Sequence, residues 1–167
     1  LVIIGIDPGT ATAGYGVVQA RAGALRALEY GAIRTPPREP LPARLHRIHR
    51  EVTALIDRCA PDVMAVEKLF FKRNVTSAIS VGEARGVILL AAAQAGMPVA
   101  EYTPPEVKQS VTGDGGADKE QVAFMVRALL SLRETPRPDD VADALAVAIC
   151  HAHTSATAAR IAGALRR

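Results

Sequence analysis

Four acidic side chains are placed where they could act together on one substrate. Asp7 and Glu67 each end a short apolar run, VIIGID and PDVMAVE, and ligands bind at the carboxyl ends of strands in open α/β sheets. Asp140 and Asp143 are three residues apart near the start of an Ala-rich segment, a spacing that puts both on one face of a helix. If the two strands are neighbours, all four carboxylates share one crevice.

Four carboxylates in one crevice point to a hard metal ion. Like charges raise one another's pKa unless a cation lies among them, and ligand sets made only of oxygen favour Mg²⁺ or Mn²⁺. Each acid also has a simpler explanation, since Asp139 and Asp140 could stabilise a helix start, Glu67 could be a solvated strand end, and Asp7 a turn residue. Asp143 resists such an explanation because it interrupts the apolar face of VADALAVAIC. One metal site therefore accounts for the acids better than four independent accidents.

The turn after Asp7 reads Pro8-Gly9-Thr10 and permits three interpretations: a phosphate-cradling loop, a metal-binding carboxylate or a plain tight turn. A P-loop is excluded because GxxxxGK[ST] does not occur. Actin-like and sugar-kinase ATPases carry a similar Asp-x-Gly-Thr turn, but they need two such domains and a second phosphate loop, more than one domain of 167 residues supplies. We therefore expect the glycines to shape the turn and Asp7 to do the chemistry.

Hydrophobic periodicity predicts five strands and five helices around these acids. The strands are predicted over residues 2–7, 13–21, 24–35, 61–67 and 97–102. The helices are predicted over residues 41–59, 75–95 and 139–153, with a short one after Pro105 and another from an Asp118 cap to about Leu132. Three strands in a meander, followed by two that alternate with helices, predict a five-stranded mixed α/β sheet in a single domain over residues 1–167, with helices on both faces.

The charge pattern permits a polyanionic partner without requiring one. The formal net charge is +3, and only four of the 20 cationic residues are lysines, confined to two short stretches: Lys68, Lys72, Lys108 and Lys119. This confinement could be a composition bias, or it could mark positions that need a compact charge against phosphate. No apolar run reaches the ~18–20 residues of a membrane span. Cys59 and Cys150 lack a CxxC spacing, so we expect a cytoplasmic protein without a disulfide.

Five stretches, in order and spacing, resemble the RuvC-type Holliday-junction resolvases. They are GIDPGTATAGYG, AVEKLFF, GEARGVILLAA, VKQSVTGDGGADK and DDVADALAVAICHAH, and together they extend over nearly the whole chain. The resemblance implies a ribonuclease-H-like fold, a homodimer, and divalent-metal-dependent nicking of four-way DNA junctions in recombination and repair. The family's acidic residues fall on Asp7, Glu67, Asp140 and Asp143. Asp140 is preferred to its neighbour Asp139 because its spacing to Asp143 matches the family pattern.

This resemblance leads us to expect two-metal hydrolysis. Asp7 would bridge two Mg²⁺ ions, for which Mn²⁺ is a substitute, with Glu67 on one side and Asp140 and Asp143 on the other. One ion would lower the pKa of a bound water, and the other would stabilise the leaving 3′ oxygen. The expected products carry 5′-phosphate and 3′-hydroxyl ends.

Basic residues interleaved with aromatics follow Glu67 and predict a DNA-contacting loop. Lys68, Lys72 and Arg73 surround two adjacent phenylalanines, and aromatic side chains stack on unpaired bases at about 1–3 kcal/mol per base. Phe70 falls on the aromatic that the family uses against bases at the junction. Phe71 is expected to plug the core beneath the loop.

Two further lysines are expected at the DNA. Lys108 and Lys119 fall on family positions near the scissile phosphate, where Lys119, with help from Lys108, would offset the charge that builds up on the phosphate. The glycines of the first motif would also let the DNA backbone come close to Asp7.

The apolar segment 75–95 contains GEARG, whose small residues permit close helix approach. Such a stretch packs either within its own domain or at an interface. A helix that is apolar nearly all round needs burial on two sides, and a two-fold homodimer provides it while presenting two sites to the two strands of a junction. The resemblance also implies a branch-migration helicase complex of the RuvA and RuvB type as partner, and a bacterial protein that joins the nucleoid when acting.

Two other functions remain compatible with these residues. A non-catalytic junction-binding protein is disfavoured, because four carboxylates would only weaken affinity for phosphate. A ribonuclease-H-like nuclease acting on RNA or on an RNA–DNA hybrid would use the same metal site. The sequence indicates no preferred cleavage sequence. Finally, His151 and His153 are expected to be solvated at a helix end.

Overall fold

The computed structural model describes residues 1–68 and 75–164. The strands are β1 (Val2–Asp7), β2 (Thr12–Arg21), β3 (Ala24–Arg34), β4 (Val63–Glu67) and β5 (Val99–Tyr102). The helices are α1 (Leu41–Cys59), α2 (Val75–Gln94), α3 (Pro104–Thr112), α4 (Lys119–Leu129) and α5 (Asp139–Ala164). The predictions for Phe70, Phe71, Lys72 and Arg73 lie outside the described residues.

The five strands form one sheet in the order β3-β2-β1-β4-β5. Strand β2 runs antiparallel to both β1 and β3, whereas β4 runs parallel to both β1 and β5. The predicted mixed sheet is therefore confirmed. Strand β1 lies at its centre and is apolar almost throughout, because both of its faces are covered by helices.

Alternate residues of the central strands supply two separate cores. On one face, Ile3 and Val63 pack with α3, α4 and the first half of α5. On the other face, Ile4 and Ile6 pack with the buried sides of α1 and α2. This alternation follows from the period of two in a strand, and it leaves the strand ends free to carry polar groups.

Local sequence signals explain where two of the helices begin. Thr103 caps α3 in a capping box with Glu106, and Asp118 caps α4 in the same way with Gln121, as predicted. Helix α4 ends at Leu129, earlier than the predicted Leu132, because Leu130 turns into the core and Ser131 takes a positive φ of 52°. Helix α5 is longer than predicted and continues to Ala164, through Ala-rich sequence that favours helix.

The expectation for the two histidines of α5 was wrong, because this helix does not end near them. The hydroxyl of Tyr102 is 2.7 Å from Nδ1 of His151, and the hydroxyl of Ser110 is 3.3 Å from Nδ1 of His153. Both histidines are half-buried. They therefore tie β5 and α3 to α5, the helix that carries two of the acids.

Over residues 1–68 and 75–164, no helix combines the length and the apolar character that crossing a membrane requires.

Candidate active site

Asp7 and Glu67 lie side by side at one edge of the sheet. Strands β1 and β4 are parallel neighbours, with Ile6 paired to Val66, so the next residue of each strand is an acid at the same carboxyl end. This is the crevice expected from the sequence.

Glycines on β1 and β2 allow α5 to lie directly on the sheet. A Cβ on Gly14 would lie 1.9 Å from the carbonyl oxygen of Asp140, and one on Gly5 would lie 2.1 Å from that of Ala144. Gly14 is also the residue paired with Asp7. The first turn of α5 is thus held over the end of β1, which brings two acids from the far end of the chain to the crevice.

The expectation that the glycines of the first motif shape the turn and admit the DNA backbone was partly wrong. Gly9 does shape the turn, since a Cβ there would lie 2.2 Å from the carbonyl oxygen of Thr12. Gly14 and Gly16 instead face α5, and a Cβ on Gly16 would meet the side chain of Leu145 at 2.4 Å. These two glycines admit a helix of the same chain rather than a DNA backbone.

Asp7 is the electrostatic centre of the acid cluster, which we define as Asp7, Glu67, Asp140 and Asp143. The pKa of Asp7 is raised to about 7, first by burial and then by the charges of Asp143, Asp140 and Glu67, in that order. Lys119 opposes them. An Asp ionises near neutrality when nearby positive charge does not offset burial and the neighbouring negative charges. Groups with such shifted pKa values are frequent at functional sites.

Two lysines provide the positive charge near the cluster. Nζ of Lys119 donates a 3.0 Å hydrogen bond to Oδ2 of Asp143, and this bond raises the pKa of the lysine. Burial raises the pKa of Glu67, and the charge of Asp143 adds to it, whereas Lys119 and Lys108 lower it. The charges of Lys119 and Lys108 therefore both act on the acids of this cluster.

Asp140, rather than Asp139, is among the charges that raise the pKa of Asp7. Asp139 is exposed and accepts a 2.9 Å hydrogen bond from Arg137, while the charge of Asp140 acts on Asp7. The i,i+3 spacing to Asp143 explains the difference, because residues three apart share a helix face.

The donor set of the cluster suits a hard divalent cation, since it consists of carboxylate oxygens around an Asp7 whose charge is poorly compensated. Within the described ranges, however, no three His, Cys, Asp or Glu side chains stand close enough together to hold a metal ion as they are placed. The acids are near enough to raise one another's pKa, but their side chains are too far apart to bind one ion together. Oδ2 of Asp143 is bonded to Nζ of Lys119.

A series of hydrogen bonds supports the turn after Asp7 and was not predicted from the sequence. Oγ1 of Thr10 is 2.5 Å from Oγ of Ser80 on α2, and the hydroxyl of Thr35 donates to the carbonyl oxygen of Thr10. Nε of Arg44 on α1 donates a 2.7 Å hydrogen bond to Oγ1 of Thr35. Thr10 and Thr35 are both buried, so these hydrogen bonds attach the turn to α1 and α2. Nothing local to Ser80 or Thr35 in the sequence signals the contact.

The predicted DNA-contacting loop is described only at its start. The backbone N–H of Lys68 donates a 2.7 Å hydrogen bond to the carbonyl oxygen of Tyr102 on β5, and its side chain is exposed. This bond extends the pairing of β4 with β5 to the residue immediately after Glu67.

Comparisons with known proteins agree on one family. A family model described as crossover junction endodeoxyribonuclease RuvC matches residues 3–151. Crossover junction endodeoxyribonuclease RuvC of Moorella thermoacetica is 63% identical over 152 residues, 91% of each chain, and that of Desulfitobacterium hafniense is 56% identical over 99% of this chain and 100% of its own. A solved structure of Thermus thermophilus RuvC in complex with Holliday junction substrate is 46% identical, with a TM-score of 0.88 and coverage of 93% of this chain and 94% of its own.

Proposed function

Because the chain belongs to the RuvC family of crossover junction endodeoxyribonucleases, we propose that the acid cluster is the site at which it nicks four-way DNA junctions. As a family member, the protein is a metal-dependent nuclease, a hydrolase of DNA phosphodiester bonds that serves recombination and repair. The assignment of this activity to particular residues is our proposal, as is the folding of residues 1–167 as one domain.

The observation that carries the assignment is the raised pKa of Asp7, to about 7, at the centre of three further acids. Burying a carboxylate among like charges costs stability, and nothing in the fold requires an acid at the end of β1. A functional role accounts for this cost, since a bound cation would neutralise the cluster.

We propose that Asp7, Glu67, Asp140 and Asp143 hold two Mg²⁺ ions, for which Mn²⁺ is a substitute. When bound, such ions supply an activated water and stabilise the leaving oxygen of the phosphodiester. The carboxylates would hold these ions, and through them the scissile phosphate, at the end of β1. Lys119, which Asp143 holds at the crevice, and Lys108 offset the negative charge that grows on the phosphate oxygens.

DNA binding is proposed for the residues that follow Glu67. Lys68 is exposed at the edge of the site, and Lys72 and Arg73 extend the same basic sequence. These cations suit phosphate contacts. Phe70 is proposed to stack on bases at the junction.

A homodimer formed through α2 is also proposed. Ala84, Ile88 and Ala91 of this helix are buried in the core shared with α1, while Ile79 and Leu90 remain 58% and 50% exposed. Leucine and isoleucine at this exposure suit burial in a second copy, and a two-fold pair would present two sites to a two-fold junction. A RuvA and RuvB type helicase complex is proposed as a further partner from the family resemblance.

The test compares nicking of a synthetic four-way junction, a linear duplex and an RNA–DNA hybrid, each with Mg²⁺ or Mn²⁺. We expect paired nicks in the junction alone, and Asp7→Asn should abolish them while leaving junction binding intact. Cleavage at the wild-type rate by this variant would contradict the assignment of the site. Preferential cutting of the hybrid would instead indicate a nuclease that acts on RNA.

A further inference from the structure

A small cavity opens directly beside the acid cluster. It measures about 240 Å³ and lies between α4, the segment 130–138 and the first turn of α5. Lys119 and Asp143 form the wall that it shares with the cluster, while Phe124, Thr135, Arg137 and Asp139 line the remainder. Its volume is below the roughly 300–1,000 Å³ of most small-molecule sites. A group in this cavity would therefore be about the size of one ring system and would lie next to the reacting phosphate.

Phe124 is an exposed aromatic side chain at this cavity. It is 56% exposed, although large aromatics usually contribute their area to a core or an interface. The guanidinium of Arg127, one turn further along α4, lies over the ring at 5.5 Å from its centroid. This contact supports the ring from one side and explains how an exposed phenylalanine keeps a defined orientation.

The charges around the cavity select for a flat, largely neutral group. Lys119 and Arg137 are cationic, but Glu120 and Asp139 also line the cavity, and Arg137 is paired with Asp139 at 2.9 Å. A wall of mixed sign attracts a row of phosphates poorly. A nucleobase, by contrast, stacks on an aromatic ring and hydrogen-bonds to polar groups of either kind. The phosphate attached to that base would remain within the reach of the lysine.

We propose that Phe124 is a stacking platform for a nucleobase that flanks the scissile phosphate. The inference rests on the proposed function, since the strand cut at the acid cluster is the one whose base enters the cavity. Phe124 thus contacts substrate without taking part in the chemistry. It makes cutting sensitive to the presence of a base at one defined position of the junction strand.

The experiment measures kcat/KM of wild type and Phe124→Ala on junctions that carry a single abasic site at each successive position around the cut. On the intact junction, Phe124→Ala should lower kcat/KM roughly 5- to 150-fold, the equivalent of about 1–3 kcal/mol per stacked base. At one abasic position the kcat/KM of the wild type should fall by a similar factor, whereas that of Phe124→Ala should be no lower than on the intact junction. At all other positions, the effect of the abasic site and the effect of the substitution on kcat/KM should multiply.

Two controls separate this inference from its alternatives. Ile161 lies near the end of α5 and has the same 56% exposure as Phe124. The Ile161→Ala variant should cut every junction as the wild type does. Phe124→Tyr retains the ring and should restore most of the activity.

Three outcomes would overturn the proposal. They are wild-type cutting of the intact junction by Phe124→Ala, losses that multiply at every abasic position, and equal losses in Ile161→Ala. A wild type that cuts no junction at all would overturn the proposed function, and with it this inference. Failure of the stacking alone leaves the wild-type cutting of intact junctions in place, so the two failures are distinguishable.

Discussion

The carbonyl oxygen of Asp140 lies over Gly14, at 1.9 Å from the place a Cβ on that glycine would occupy. No side chain fits between β2 and the first turn of α5. The missing side chain of one residue therefore sets the position of an acid that is far away in the sequence.

Gly14→Ala should push α5 away from the sheet and separate Asp140 from Asp7. Overpacking of this kind costs about 1–3 kcal/mol, and we expect the upper end because the opposing atom belongs to a helix backbone. Junction nicking should fall together with the melting temperature. Gly115→Ala is the matched control, since a Cβ there would meet its nearest atom at an ordinary 3.4 Å. Unchanged nicking by Gly14→Ala would show that α5 need not lie so close.

Asp7→Asn should stabilise the metal-free protein above pH 7. The pKa of Asp7 is raised from 3.8 to about 7 in the fold, so between these values the folded state keeps a proton that the unfolded state has released. The free energy of unfolding of the wild type therefore falls as pH rises through this window. The asparagine variant should lack that fall. Each kcal/mol of relief corresponds to about 2–4 °C in melting temperature for a chain of this length.

The metal dependence of this effect provides its control. Mg²⁺ should raise the melting temperature of the wild type by binding the folded state, and it should raise that of Asp7→Asn less. Melting curves at pH 5, 7 and 8.5, with Mg²⁺ and with a chelator, check both statements. A wild type that is at least as stable as the variant at pH 8.5 in chelator would contradict the uncompensated charge at Asp7.

Ser80→Ala should weaken the support of the Asp7 turn. The variant leaves the buried hydroxyl of Thr10 without its 2.5 Å partner, a loss of about 1–3 kcal/mol. Because the turn carries Asp7, we expect kcat to fall while KM for the junction stays near the wild-type value. Thr157→Ala removes an exposed 2.9 Å hydrogen bond on α5 and should change neither quantity. A fall in melting temperature with unchanged kcat would assign Ser80 a purely structural role.

His151 should make the fold sensitive to mild acid. Burial lowers the pKa of His151 below its usual 6.5, so the unfolded state binds a proton more readily than the folded state. Stability that is present above pH 6.5 is then lost as pH falls through the lowered pKa. Urea unfolding between pH 7.5 and 5 should show this loss in the wild type and a smaller one in His151→Gln. The exposed His46 of α1 provides the comparison, and an equal reduction in His46→Gln would contradict the assignment.

Much of this architecture is readable from the sequence, because the signals are local. The continuous apolar run of β1 is typical of a strand buried on both faces, and the apolar spacing of α1 is typical of an amphipathic helix. The expected boundaries of both elements were confirmed. The cap at Asp118 and the shared face of Asp140 and Asp143 follow equally from spacing over a few residues. The sequence alone therefore indicates the acids of the proposed site.

The tertiary structure decided what depends on contacts between distant segments. No local pattern shows that Gly14 faces a helix more than a hundred residues later, that His151 contacts Tyr102 on β5, or that Phe124 stays exposed beside Asp143. Side-chain periodicity determines which face of an element is apolar, but not which element covers it or how closely. That distance depends on packing, since protein interiors leave few gaps. Here α5 packs directly against the glycines of β1 and β2, and the acids that this packing brings together raise, with burial, the pKa of Asp7.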